Sequence, residues 1–84
     1  MRLDKYLKVT RLIKRRTIAN EACDAGRVSV NGKVARASYD VKVGDEIAIT
    51  LGTRTLIVEV LKIGEHVLKD DAADYYKVIG NEEK

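Results

Sequence analysis

The hydrophobic period of the chain changes at Gly26, and that change restricts the fold more than any other feature. Upstream, Leu3, Tyr6 and Leu7 recur at i, i+3 and i+4, the spacing of one helix face. Arg2, Lys5 and Lys8 fall elsewhere on the same turns, which predicts a short helix with an apolar seam and a basic flank. After a link through Thr10–Lys14, a second helix is predicted over about 15–25, with Ile18, Ala22 and Ala25 on its apolar face. Gly26 then supplies the left-handed conformation in which helices commonly stop.

Downstream the pattern alternates, as strands do. Val28-Ser29-Val30 leads into Asn31-Gly32, a strong two-residue hairpin signal, and Lys33-Val34-Ala35 leads out. Val41–Val43, a Gly44-Asp45 turn and Ile47–Leu51 predict a further strand after a loop. Gly52-Thr53 reads as a tight turn into 55–61, where Leu56, Val58 and Val60 share a face. Beyond Ile63 the chain turns polar, with a short helical turn near 71–74 and a last strand over Tyr75–Ile79. The expectation is an α+β fold, two short helices packed on a small, mostly antiparallel, twisted sheet with a C-terminal strand extension. Eighty-four residues without Phe, Trp or Pro leave one modest core built from Leu, Ile, Val and Ala.

Charge is distributed unevenly. Residues 1–36 carry ten Lys and Arg against three acids, a net of +7, whereas 37–84 carry six against ten, a net of −4. A chain with one strongly positive end suits a polyanionic partner. Arg2, Lys5 and Lys8 lie on the first helix; Arg11, Lys14, Arg15 and Arg16 surround the start of the second; Arg27, Lys33 and Arg36 flank the hairpin. Two helices packed on the hairpin through Leu3, Leu7, Ile18 and Ala22 would present these sets on one surface. Arginine's planar fork pairs with phosphate in two-pronged fashion and stacks on bases. The start of the second helix adds unpaired N–H groups and a partial positive charge.

Catalytic and metal chemistry find little support. One His (His66) and one Cys (Cys23) stand in no metal-ligand spacing, and Cys23 reads as a packed helix residue. Asp70-Asp71 and Asp74 suit a helix start better than an acid–base pair. The glycines match neither a phosphate-cradling loop nor a dinucleotide fingerprint. No catalytic residue, metal or cofactor is expected. No apolar run approaches the roughly 20 residues of a bilayer span, and the N-terminus lacks the apolar stretch of a signal peptide. A cytoplasmic protein without membrane contact, working as a monomer, is expected.

The runs R-L-D-K-Y-L-K-V-T-R-L-I-K-R-R-T, A-G-R-V-S-V-N-G-K and D-V-K-V-G-D-E-I, in that order and spacing, resemble the S-four RNA-binding domain, whose fold is the alpha-L motif. The likeness covers about residues 1–50 and is greatest to stand-alone members: the ribosome-quality-control factors and the related ribosome-associated heat-shock protein of about fifteen kilodaltons. It implies a motif over 1–50, a strand extension over 51–80 completing the same domain, and a frayed tail over 81–84. It further implies binding to large-subunit ribosomal RNA, with peptidyl-tRNA and a nascent-chain elongation factor as further partners on a stalled, split subunit. Arg2 and Arg16 match arginines that such proteins place against large-subunit RNA, and Lys5, Lys8, Lys14 and Arg15 match basic positions beside them. Asp4 matches an acid whose implied role is to orient basic neighbours; Asn31, Gly32 and Gly44 match turn positions. Val43 departs from the family, which usually has proline there.

Two other readings compete. A helix-turn-helix DNA-binding protein also has two short helices with basic residues, but it reads bases from a recognition helix. Here the second helix turns small and acidic after Arg16, through Asn20, Glu21 and Asp24. A general ribosome-biogenesis RNA-binding factor would share every feature named so far.

Overall fold

Asn31 and Gly32 both adopt positive φ, 52° and 85°, the requirement of a type I′ turn. In the computed structural model, which describes residues 1–83, that turn joins β1 (Val28–Val30) to β2 (Lys33–Val34). The Asn31 side chain also fastens the turn to the next strand, β3 (Glu46–Leu51). Its Oδ1 accepts the Glu46 N–H at 3.0 Å, and its Nδ2 donates to Asp45 Oδ1 at 3.1 Å. Gly52, at φ 64°, takes the first central position of the turn into β4 (Arg54–Val60), where type II′ turns place glycine. A 3₁₀ helix over Lys69–Tyr75 leads into β5 (Tyr76–Glu83).

The five strands run antiparallel in the order β2-β1-β3-β4-β5. Pairing Val28 with Ile49, Val30 with Ile47, and Ile47 with Val58 puts every second apolar residue on one face. Val28, Val30, Ile47, Ile49, Val58 and Val60 are all buried there. Each such side chain, removed from water, stabilises the fold by about 1.5–3 kcal/mol. Between the pairs Ile57–Gly80 and Val58–Val78, β5 carries one extra residue, a bulge.

Two helices, α1 (Leu3–Val9) and α2 (Arg16–Asp24), cover this face. Leu3, Tyr6 and Leu7 are fully buried, as their spacing predicts. The buried residues of α2 are Ala19 and Cys23, with Ala22 packed at their edge, whereas Ile18 is 49% exposed. The expected apolar face is therefore rotated by one position: small residues let α2 lie close, and Ile18 is turned to solvent. At the end of α1, Thr10 Oγ1 donates to the Tyr6 carbonyl at 2.7 Å. Arg11 then takes φ 62°, a left-handed conformation costing a non-glycine residue about 1 kcal/mol. It is held by its own N–H on the Lys8 carbonyl and by Ile13 N–H on the Leu7 carbonyl.

Two further expectations are corrected. Regular pairing of β3 begins at Glu46, and the Val41–Val43 stretch before it is loop, Asp40 making only an isolated bridge with Arg2. The tail expected to fray over 81–84 is strand as far as Glu83, with Asn81, Glu82 and Glu83 opposite Leu56, Thr55 and Arg54. Polar composition does not prevent this, because the ladder uses backbone groups. Lys84, the last residue of that tail, lies outside the described residues.

C-terminal residues are tied to α1 at one atom. The Tyr75 carbonyl accepts hydrogen bonds from the Tyr6 hydroxyl at 2.7 Å and from the N–H groups of Leu61 at 2.9 Å and Lys62 at 3.2 Å. Burial pushes the Tyr6 phenol well above its ordinary value, so it stays a neutral donor.

Candidate nucleic-acid interface

The centre of the basic surface is an acid. Asp4, in the first turn of α1, faces α2, and its side chain is only 2% exposed. It accepts from Arg2 Nε at 3.2 Å and Nη2 at 3.3 Å, and from the Lys5 N–H at 2.8 Å. It also accepts from Arg16 Nε at 3.4 Å and Asn20 Nδ2 at 3.3 Å. Burial pushes the carboxyl up, but the Arg2 and Asn20 hydrogen bonds, the Arg16 charge and the Lys5 N–H outweigh it and hold its pKa below the ordinary carboxylate value. The fold thus buries a charge only where donors surround it, as a buried carboxylate requires.

The two arginines remain half in solvent, with side chains 50% and 48% exposed. Each spends part of its guanidinium on Asp4, Nε from both and Nη2 from Arg2 as well. They line a shallow concavity with Asp4, Thr17, Asn20 and Glu21. Arg2 and Arg16 are thereby brought to one face, each begun by a different helix. Guanidinium groups held in this way and half open to solvent can pair with phosphate oxygens at little further cost in side-chain ordering.

The other basic residues divide into separate groups. Lys8, Arg11 and Lys14 line a cleft of about 630 Å³ together with Glu65, His66 and Lys69 from the segment after β4. Lys33 and Arg36 line a third concavity with Asn31, Ser38 and Tyr39 beside the hairpin. Lys5 is engaged elsewhere, its Nζ 3.3 Å from Glu65 Oε1. Arg15 and Arg27 are exposed at the two ends of α2 and line none of these concavities. Sequence reasoning missed Asn20, which it weighed only as a poor DNA reader, and it missed His66 and Lys69. No local signal marks the last two, since they sit in the acidic half and reach the cleft only through the fold.

Cys23 is buried beneath α2. Burial, aided by the charges of Asp4 and Asp24, pushes its thiol up to about 11, so the nucleophilic thiolate is suppressed at neutral pH. Among the described residues no group of three His, Cys, Asp or Glu side chains could hold a metal ion, and no helix is long and apolar enough to cross a membrane.

The S4 domain model matches residues 1–47. An RQC P-site tRNA stabilizing factor of Streptococcus pneumoniae is 52% identical over 79 residues, covering 94% of this chain and 90% of the relative. Its namesake in Halalkalibacterium halodurans is 53% identical over 78 residues, covering 93% and 89%. Among solved structures, trimeric heat shock protein 15 of Vibrio cholerae superposes with a TM-score of 0.87 at 29% identity, covering 93% of this chain and 80% of that one. The family model stops short of β4, while the relatives and the solved structure follow the chain through nearly its whole length. The buried acid, the paired arginines and the hairpin all lie within the matched segment: the chain belongs to the S4 domain family, in the group of the RQC P-site tRNA stabilizing factors.

Proposed function

We propose that this protein binds RNA without catalysing a reaction, docking on large-subunit ribosomal RNA and on the tRNA of a stalled nascent chain during ribosome quality control. The observation that carries the reading is the presentation of Arg2 and Arg16 by one buried carboxylate. It costs the fold a buried charge and yields two preset phosphate ligands on a single face. A-form RNA hides its base edges from side chains, so phosphates and shape are what such a face can recognise. Arg15, Arg27, Lys33 and Arg36 are also exposed and add positive charge to the same half of the chain. Past Ile18 the exposed residues of α2 include the acids Glu21 and Asp24, a poor surface for reading a DNA groove. The relatives named for stabilising P-site tRNA support the ribosomal setting. A cytoplasmic, ribosome-bound monomer that holds tRNA while an elongation partner extends the nascent chain fits this reading.

Co-sedimentation tests it. The protein should travel with free large subunits in a gradient, and absence from that fraction would overturn the reading. With a short RNA hairpin, neutralising about five phosphates should give a slope of log K on log salt of roughly −3.5 to −4.5. A salt-indifferent binding constant would equally refute it.

A further inference from the structure

The cleft lined by Lys8, Arg11, Lys14, Glu65, His66 and Lys69 shares no residue with the Arg2–Asp4–Arg16 concavity. Its walls come from two distant stretches: the end of α1 with the link to α2, and the connection after β4 with the first residue of the 3₁₀ helix. Four cations face one carboxylate there, and that carboxylate is already paired outside the set, with Lys5 at 3.3 Å. Among the described residues, no carboxylate lies within ion-pair distance of Lys8, Arg11, Lys14 or Lys69. Like charges gathered in a concavity repel one another and focus a positive potential into it. His66, exposed and part of the lining, adds a ring donor.

From this arrangement we infer a second phosphate-binding site, in which the cleft takes a run of RNA backbone independently of the Arg2–Arg16 face. Resting on the RNA-binding reading above, it goes further by giving His66 and Lys69, outside the S4-matched segment, a share in binding. A polynucleotide fits better than a single anion: the cations are spread over three segments, so successive phosphates along a strand can each meet one. Lys14 and Arg11 come from the α1–α2 link and Lys69 from the start of the 3₁₀ helix.

The test measures binding of the same short RNA hairpin by anisotropy across a salt series, for wild type, His66→Ala/Lys69→Ala, Arg2→Ala/Arg16→Ala and the fourfold variant. Both cleft residues tested are exposed, and circular dichroism verifies that each variant is folded. The cleft variant should bind several-fold more weakly, with a salt slope shallower by about 0.7–0.9 for each phosphate that is no longer neutralised. Its loss should multiply with that of the arginine variant, as independent sites require. Wild-type affinity and slope in the cleft variant would overturn the second site while leaving the Arg2–Arg16 reading intact. Salt-independent wild-type binding would instead remove both. In a parallel titration followed by the amide resonances of His66 and Lys69, the hairpin should shift them. If tripolyphosphate does so and the hairpin does not, the cleft is a small-anion site and the inference fails.

Discussion

Arg16, at the start of α2, reaches back to within 3.4 Å of the Asp4 carboxylate near the start of α1. That one interaction couples the placement of two helices to the display of a phosphate ligand. Asp4 therefore stands at the junction of stability and binding, and its replacement should be felt in both.

Asp4→Asn should cost on the order of 2 kcal/mol at neutral pH, since charge-assisted hydrogen bonds to a buried group are removed. The folded carboxyl has its pKa below the ordinary value. Its stabilisation is thus complete above the unfolded value of about 3.9 and is lost as pH falls through the lower, folded value. Wild type should lose stability in acid below about pH 4 more steeply than Asp4→Asn. Thermal melts of both proteins between neutral and acid pH check this, and parallel curves would contradict it.

Arg2→Ala and Arg16→Ala should each weaken RNA binding by about 1–3 kcal/mol and release the protein from large subunits in a gradient. Arg→Lys should rescue only in part, because lysine keeps the charge and loses the fork. Because each arginine also donates to Asp4, each alanine variant should melt somewhat below wild type but above Asp4→Asn. Far-ultraviolet circular dichroism should be unchanged. Variants that stay subunit-bound at physiological salt would show that the RNA face lies elsewhere.

How far the sequence reaches is visible in these same elements. Asn31-Gly32 revealed the hairpin because its φ requirement is local and few residue pairs satisfy it. Leu3, Tyr6 and Leu7 revealed the buried side of α1 because large apolar residues leave one answer. Helix α2 was read one position off: in two and a half turns of mostly small residues, Ile18 outweighs Ala19 in any hydrophobic count. The fold instead needs Ala19 and Cys23 inward so that α2 approaches α1 closely. Placing Arg2 and Arg16 on one face was legible from the resemblance, with Asp4 as their organiser. The cleft with Lys69 was not legible, since it depends on how the chain returns after β4.

Arg11→Gly separates conformation from charge. Glycine adopts φ 62° without the penalty paid by arginine, so the variant should melt at or slightly above the wild-type temperature. Its RNA affinity should nonetheless fall, with a shallower salt dependence, because one cleft cation is gone. A melting temperature several degrees lower would mean that the arginine side chain itself supports the turn.

Cys23→Ala should cost about 1 kcal/mol through poorer packing, with no change in RNA binding wherever the variant is folded. With its pKa pushed up to about 11 and its side chain buried, the thiol should resist alkylation in native buffer and react quickly in denaturant. Abolished binding in a folded variant would reopen a thiol-based mechanism.

The three donors on the Tyr75 carbonyl bear on whether the S4-matched segment can exist by itself. A fragment ending near residue 50 keeps Tyr6, whose side chain is fully buried, but loses the oxygen that its hydroxyl serves. An orphaned buried hydroxyl costs about 1–3 kcal/mol, and the edge of β3 that pairs with β4 would be left open as well. Such a fragment should bind the dye ANS and show no fixed side-chain resonances, the behaviour of a molten globule. In the full chain, the amides of α1 and of β4 should exchange with deuterium at a common rate, opening in a single cooperative event.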